Sequence, residues 1–445
     1  MGLTLTKALR LLSETCLAVI GAGGKTTFIF QLAREFSVPV IVTTTTHLGI
    51  WQIPLADHHL IATSIDDLTN TRYEGVTLIT GPIGKNDRVG ALDQDLVKWL
   101  YADLKTHNLP LLIEADGARM KSLKAPSDNE PPIPDFANNV VVSVGMVAVG
   151  KRLSEETVYH PEIFSKLSGL KIDQAITPES IVRFLCHPQG GQKNIPRKAR
   201  RTILINQCDT PELQSAAYGM ASVLQNHFDS VLITSLKEHQ IVAVHEPVAG
   251  IILAAGGSKR YGQTKQLLDW HGQPFIRVVV KTALEAGLSP VVVITGANAN
   301  QVEDALMDLP ITIKRNEDWL TGQSSSIRAG IKAVSEEEGK RPGAVIFLLA
   351  DQPQITSSVI LALIEKHAIE IQPIIAPMVF MEKRGNPVLF DQVTFPALMK
   401  LQGDVGGRSL FSEFHVDYLP WQDDRILLDV DDPEDYKRLI EDDTL

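Results

Sequence analysis

Residues 248–268 read VAGIILAAGGSKRYGQTKQLL, an apolar β-branched run, then two glycines, then cations at Lys259, Arg260 and Lys265. A buried strand that stops in a small-residue loop is the opening unit of an α/β domain. This unit begins past the middle of a 445-residue chain, so there is room for a complete domain before it. The boundary is placed at HEPV, where a proline precedes the fresh strand, giving expected domains at 1–246 and 247–445. Upstream, LAVI, VPVIVTTT, VTLIT, LPLLIEAD, NVVVSVG, RTILIN and SVLITS alternate with helical patterns; downstream, SPVVVITG, ITIKRN, AVIFLLAD and PIIAPMV do the same. The expected fold class is α/β in both halves, with a mostly parallel sheet in the first and a new α/β domain in the second.

Composition narrows the function. Hydrophobic residues make up 44% and charged residues 21%, as in ordinary globular proteins. A net charge of −11 argues against nucleic acid and anionic membrane as partners, since both need clustered Lys and Arg. The three cysteines, Cys16, Cys186 and Cys208, are far apart and signal neither a disulfide framework nor a thiolate metal site. CLAVI is too short to span a membrane and the start lacks the pattern of a secretory signal, so a cytoplasmic location is expected.

In the second half, small residues at Gly256 and Gly257 let backbone amides close around phosphate oxygens, while Arg260 and Lys265 offset triphosphate charge. AVIFLLADQP places Asp351 at the carboxyl end of an apolar strand, where ligands collect in such sheets. ILLDVDDP adds Asp429 and Asp431, and one or two carboxylates with water suit a magnesium ion that bridges phosphates. Asp351 with Asp431 is therefore the expected metal pair; Asp432, before a proline, reads as a cap.

In the first half, AVIGAGGKTT runs from strand through a glycine loop (Gly21, Gly23, Gly24) to Lys25 and Thr26. Amides at a helix start plus Lys25 make an anion site, and the Thr26 hydroxyl is placed to reach magnesium. The standard Walker spacing is not met; the shortened loop is similar to the GTNGKTT loop of the Mur ligases. Glu114 and Asp116, at the end of LPLLIEAD, are the expected metal-orienting carboxylates. ILINQCDT resembles the NKxD base-reading motif with Gln207 in the lysine position; a strand end followed by a helix cap explains it equally. His47, after four threonines, is either a phosphate sensor or a hydrogen-bonded structural residue.

Taken together, residues 249 to 440 resemble the nucleotidyltransferases of molybdenum cofactor maturation. The signature loop LAAGGSKRYGQTKQLL, the serine-rich WLTGQSSSIRAG, LLADQP, RGNPVLF, GDVGGRSL and LDVDDPEDY carry the likeness. The resemblance implies a Rossmann-like, glycosyltransferase-A-like sheet. It implies nucleotide contacts from Ala255, Gly256, Gly257 and Ser325, neutralisation by Arg260 and Lys265, and magnesium on Asp351 and Asp431. Asn386, Asp404 and Arg408 would face the acceptor. AAGGS resembles the cytidylyltransferase branch, so CTP is the expected substrate nucleotide; Tyr261 departs from the methionine common at that position.

Residues 10 to 240 resemble the P-loop accessory proteins associated with selenium-dependent molybdenum hydroxylases, through GAGGKTT, VTTTTHLG, IEADGA and LKAP. That likeness implies a P-loop-type parallel sheet with a nucleotide site for ATP or GTP. The combined expectation is an enzyme that joins CMP to the phosphate of molybdopterin and releases pyrophosphate. Rival readings are a nucleotide-gated carrier or insertion chaperone serving an apo molybdenum hydroxylase, and a transferase that uses GTP or a sugar-phosphate acceptor.

Overall fold

The computed structural model describes residues 2–69, 71–84, 87–257, 261–336 and 341–442. It divides into two compact units, Met1–His245 and Glu246–Leu445. Both are mixed α/β.

The first unit is built on a nine-stranded sheet. Its strands are β1 (Cys16–Gly21), β2 (Val40–Thr44), β3 (His58–Ile61), β4 (Val76–Thr80) and β5 (Leu111–Glu114), then β6 (Asn139–Gly145), β7 (Arg200–Asn206), β8 (Ser230–Ser235) and β9 (Gln240–His245). They lie in the order β9-β8-β7-β6-β1-β5-β2-β4-β3. Every pair is parallel except β8 with β9. The central strands are apolar almost without interruption because helices cover both faces of a parallel sheet. Register decides where chemistry collects: Val19 lies beside Glu114 and Gly21 beside Ser143, while Asn206 lies beside Gly145. The carboxyl ends of β5, β1, β6 and β7 thus surround the glycine loop.

The second unit holds an eight-stranded sheet. Its strands are β10 (Val248–Ala254), β11 (Val291–Thr295), β12 (Thr312–Arg315), β13 (Ala344–Leu349), β14 (Ile374–Val379), β15 (Lys383–Arg384), β16 (Val388–Asp391) and β17 (Val416–Trp421). The path runs β12-β11-β10-β13-β16-β14-β15, with β17 on β14. The sheet is mixed: β10 is parallel to β11 and β13, β11 to β12 and β14 to β17, while β16 runs antiparallel to both β13 and β14, and β15 antiparallel to β14. The segment RGNPVLF, read only as an acceptor-side motif, supplies Val388, Leu389 and Phe390 of β16. Leu253 pairs with Leu349, so the loop after β10 and Asp351 after β13 leave the sheet at the same level.

A satellite cluster closes this end of the sheet. Leu268, Trp270 and Phe275 pack against Val430 and Leu439, with Tyr261 and Tyr436 beside them. The helix Pro433–Asp442 is thereby tied to the strand-to-helix region that follows the glycine loop. Among the described residues no helix is long and apolar enough to cross a membrane.

Candidate functional sites

In the first unit the loop after β1 turns directly into the helix Lys25–Glu35. Gly23 and Gly24 have φ of 84° and 119°, conformations that L side chains rarely adopt. A Cβ at Gly23 would strike the backbone of Gly145, and one at Gly24 the amide of Asn206. The Lys25 ammonium is buried, at 5% exposure. It donates to the Gly21 carbonyl at 2.6 Å and pairs with Asp116 at 3.2 Å and Glu114 at 4.0 Å. The Thr26 hydroxyl donates to Glu114 at 3.1 Å, and the Gly21 amide donates to Asp116 at 3.0 Å. All seven residues expected for this loop therefore meet in one place. Burial pushes the Glu114 carboxyl above its ordinary range, opposed by Lys25 and by the Thr26 hydrogen bond. His47 stands exposed.

Two participants were not expected from sequence. Lys124, in the LKAP stretch, bridges Asp116 at 3.3 Å and Glu130 at 2.7 Å, so Asp116 is held between two lysines. Asn206 donates to the Gly23 carbonyl at 2.7 Å, clamping the glycine loop to the end of β7.

The second unit repeats the theme with different parts. Lys265 is 8% exposed and donates to the Val430 carbonyl at 2.6 Å. It also pairs with Asp431 at 2.8 Å and Asp351 at 3.8 Å. The Gln266 side-chain amide donates to the Gly256 carbonyl at 2.9 Å, and Ala255 is buried beneath the loop. A Cβ at Gly257 would come within 3.3 Å of the Trp319 ring. Arg260 lies outside the described residues. Desolvation raises the Asp351 carboxyl; Lys265 opposes this, while Asp429 and Asp431 add to it. Asp429 is raised for the same main reason, and Gln352 donates to it at 2.6 Å.

Two of the three expected acceptor-side residues form a chain from that carboxylate. Asn386 donates to Gln352 at 3.3 Å and accepts from Arg408 at 2.9 Å. Asp404 sits elsewhere, accepting from the Gln323 amide at 3.2 Å at the start of the helix Gln323–Glu336. Ser325 donates to the Gly322 carbonyl and accepts from Asn316 at 2.8 Å, a partner that sequence reading missed. Among the described residues no group of three or more His, Cys, Asp or Glu is placed to hold a metal alone. Asp351 and Asp431 nevertheless converge on one cation, the Lys265 ammonium, so hard oxygen donors already face a common point. That arrangement fits an ion completed by phosphate oxygens and water.

The YqeC protein family matches residues 17–162 and the MobA-like NTP transferase domain matches residues 250–418. An uncharacterized YqeC protein of Escherichia coli is 29% identical over 243 residues, covering 52% of this chain and 90% of the relative. Nicotine blue oxidoreductase of Paenarthrobacter nicotinovorans is 30% identical over 203 residues, covering 43% of this chain and 96% of the relative. The molybdenum cofactor cytidylyltransferase of Escherichia coli is 34% identical over 88 residues, covering 20% of this chain and 45% of that protein. The second unit is a nucleotidyltransferase. The chain belongs to the MobA-like NTP transferase family through that unit, and residues 17–162 of its first unit match the YqeC family.

Proposed function

We propose that the second unit transfers CMP from CTP to the phosphate of a molybdopterin-type cofactor, releasing pyrophosphate. The observation that carries this reading is Lys265, held between Asp351 and Asp431 beside the Gly256–Gly257 loop. The cytidylyl choice is supported by the AAGGS loop and by the cytidylyltransferase among the relatives.

An acceptor phosphate oxygen forms a bond to the α-phosphorus of CTP while the bond to the bridging β-phosphate oxygen breaks, and pyrophosphate leaves with the electron pair. No protein nucleophile is needed. Lys265 and Arg260 stabilise the charge that develops on the phosphoryl oxygens, and the loop amides orient the triphosphate for in-line attack. Asn386 and Arg408, joined to Asp429 through Gln352, orient the acceptor. Asp351 and Asp431 would hold magnesium, whose chemistry there is to draw phosphate oxygens together and offset their charge.

The first unit is proposed to bind a purine nucleotide on the Gly21–Thr26 loop of a P-loop-type sheet, with Glu114 and Asp116 on the metal side. Its role is to serve the same cofactor pathway, in handing product to an apo molybdenum hydroxylase. The deciding experiment incubates the full chain with each of the four NTPs and molybdenum cofactor and identifies the dinucleotide by mass spectrometry. A cytosine dinucleotide is expected; a guanine dinucleotide alone, or no pterin product beside an active sugar-phosphate control, overturns the assignment.

A further inference from the structure

We infer that the nucleotide site of the first unit reads guanine, with Asp209 as the carboxylate that recognises the base. The inference rests on the proposal that the Gly21–Thr26 loop holds the phosphates of that nucleotide.

Asn206 is the last residue of β7 and 4% exposed. Its amide donates to the Gly23 carbonyl at 2.7 Å, and its oxygen accepts from the Thr234 hydroxyl at 3.2 Å and the Leu236 amide at 3.1 Å. One buried side chain therefore ties the phosphate loop, the end of β7 and the end of β8 into a single frame. Beyond it the chain turns sharply, because Gln207 adopts a φ of 63°, and the Cys208 amide donates to the Thr234 carbonyl at 3.0 Å. That turn delivers Asp209 to the surface three residues after the clamp.

Asp209 is exposed, yet it is not loose. Ser235, 1% exposed at the end of β8, donates its hydroxyl to Asp209 Oδ1 at 2.5 Å. The carboxylate takes no other hydrogen bond among the described residues. An exposed carboxylate gains little for the fold from such a tie, since water solvates it well and ordering a side chain has an entropic cost. With Oδ2 open and a second lone pair left on Oδ1, the oriented carboxylate presents two acceptor sites side by side, which is what a ligand with two adjacent donors needs.

Guanine offers that pattern, N1–H beside the exocyclic amine. Adenine presents a lone pair at N1, and cytosine presents acceptors at N3 and O2, so an acceptor-only carboxylate repels both. Phosphates at the Gly21–Thr26 loop and a base at Asp209 are joined by the Asn206 clamp, as one nucleoside phosphate requires. Hydrogen bonds to a charged group set the expected selectivity at roughly 10- to 150-fold.

The test titrates the full chain with GDP, ADP and XDP in the presence of magnesium by calorimetry, and assigns to this site only the heat that Lys25→Ala removes. GDP is expected to bind roughly 10- to 150-fold more tightly than ADP. Asp209→Asn should lose that margin for GDP and gain XDP binding, because an amide accepts from N1–H and donates to the xanthine O2 oxygen. The gain also shows that the variant is folded. Lys25-dependent binding with no preference for guanine, or an Asp209→Asn protein that binds GDP as before, overturns the base assignment alone. No Lys25-dependent binding of any of the three overturns the phosphate-loop reading and the base assignment together.

Discussion

The two units solve the same electrostatic problem with opposite architecture. Each buries a lysine next to a glycine loop, gives its ammonium a carbonyl at 2.6 Å and sets it between two carboxylates. In the first unit both acids come from one strand end, Glu114 and Asp116, and the paired Asp116 side chain is 3% exposed. In the second, Asp351 follows β13 but Asp431 belongs to the tail, 80 residues on in sequence, and its side chain is 59% exposed. A lysine held by its own sheet is part of the frame. A lysine held by a docked tail is positioned only as firmly as the Leu268, Trp270, Val430 and Leu439 cluster holds that tail.

The sharpest way to break this comparison is at Asp351. Asp351→Asn keeps the shape but removes charge from the proposed metal site, and turnover should fall on the order of a hundred- to a thousandfold, about 2.7 to 4 kcal/mol, with little change in melting temperature. CTP-dependent pyrophosphate release at saturating magnesium measures it; turnover within about a factor of two of the parent would move the metal towards Asp429 and Asp431.

Acid should separate the units next. Burial lowers His245, at the end of β9, from 6.5 to about 4, so the folded state keeps it neutral while the unfolded chain takes up a proton below 6.5. Stability of the first unit is then complete above that value and declines as pH falls towards about 4, by about 3 kcal/mol in all. His245→Phe, which preserves the edge contact with Tyr218, should flatten the slope in urea unfolding measured across that window. An unchanged slope would assign the acid sensitivity to other groups.

Lys25→Ala should weaken nucleotide binding at the first loop roughly 10- to 150-fold, by loss of charge-assisted hydrogen bonds. Cytidylyl transfer by the same protein should be untouched. If transfer falls in parallel, the two sites are coupled and the comparison between independent lysines fails.

The mildest expectation concerns Asp431. Being more than half exposed, its pairing with Lys265 contributes at most about 1 kcal/mol to stability. Asp431→Asn should therefore melt close to the parent while raising the magnesium concentration needed for half-maximal transfer. A large drop in melting temperature would make the tail a structural strut rather than a reagent.

Much of this was readable in the chain. Contiguous apolar runs announced the buried parallel strands, and Gly-Gly followed by lysine announced both loops. Of the strands that escaped notice, β3, β15 and β17 have no fully buried position, so no apolar run marks them, whereas β9 carries the run IVAV and β16 is buried throughout, and both were passed over among neighbouring motifs. The partners that escaped notice share one property. Lys124 on Asp116, Asn206 on Gly23 and Asn316 on Ser325 join segments whose approach is decided by sheet order or by a loop's path, which no local pattern encodes. Lys265 and Asp431 were both singled out, but as a phosphate cation and a metal ligand, not as each other's partner.

The glycines carry the contrast into heredity. At Gly23 and Gly24 the backbone itself forbids a side chain, whereas a Cβ at Gly256 would meet nothing nearer than Gln266 Nε2 at 3.8 Å. Folding polices the first loop in every descendant, used or unused. No such constraint holds Gly256, so in a lineage that abandoned nucleotidyl transfer that codon would be free to drift while the first loop stayed legible, a fossil kept by its own geometry.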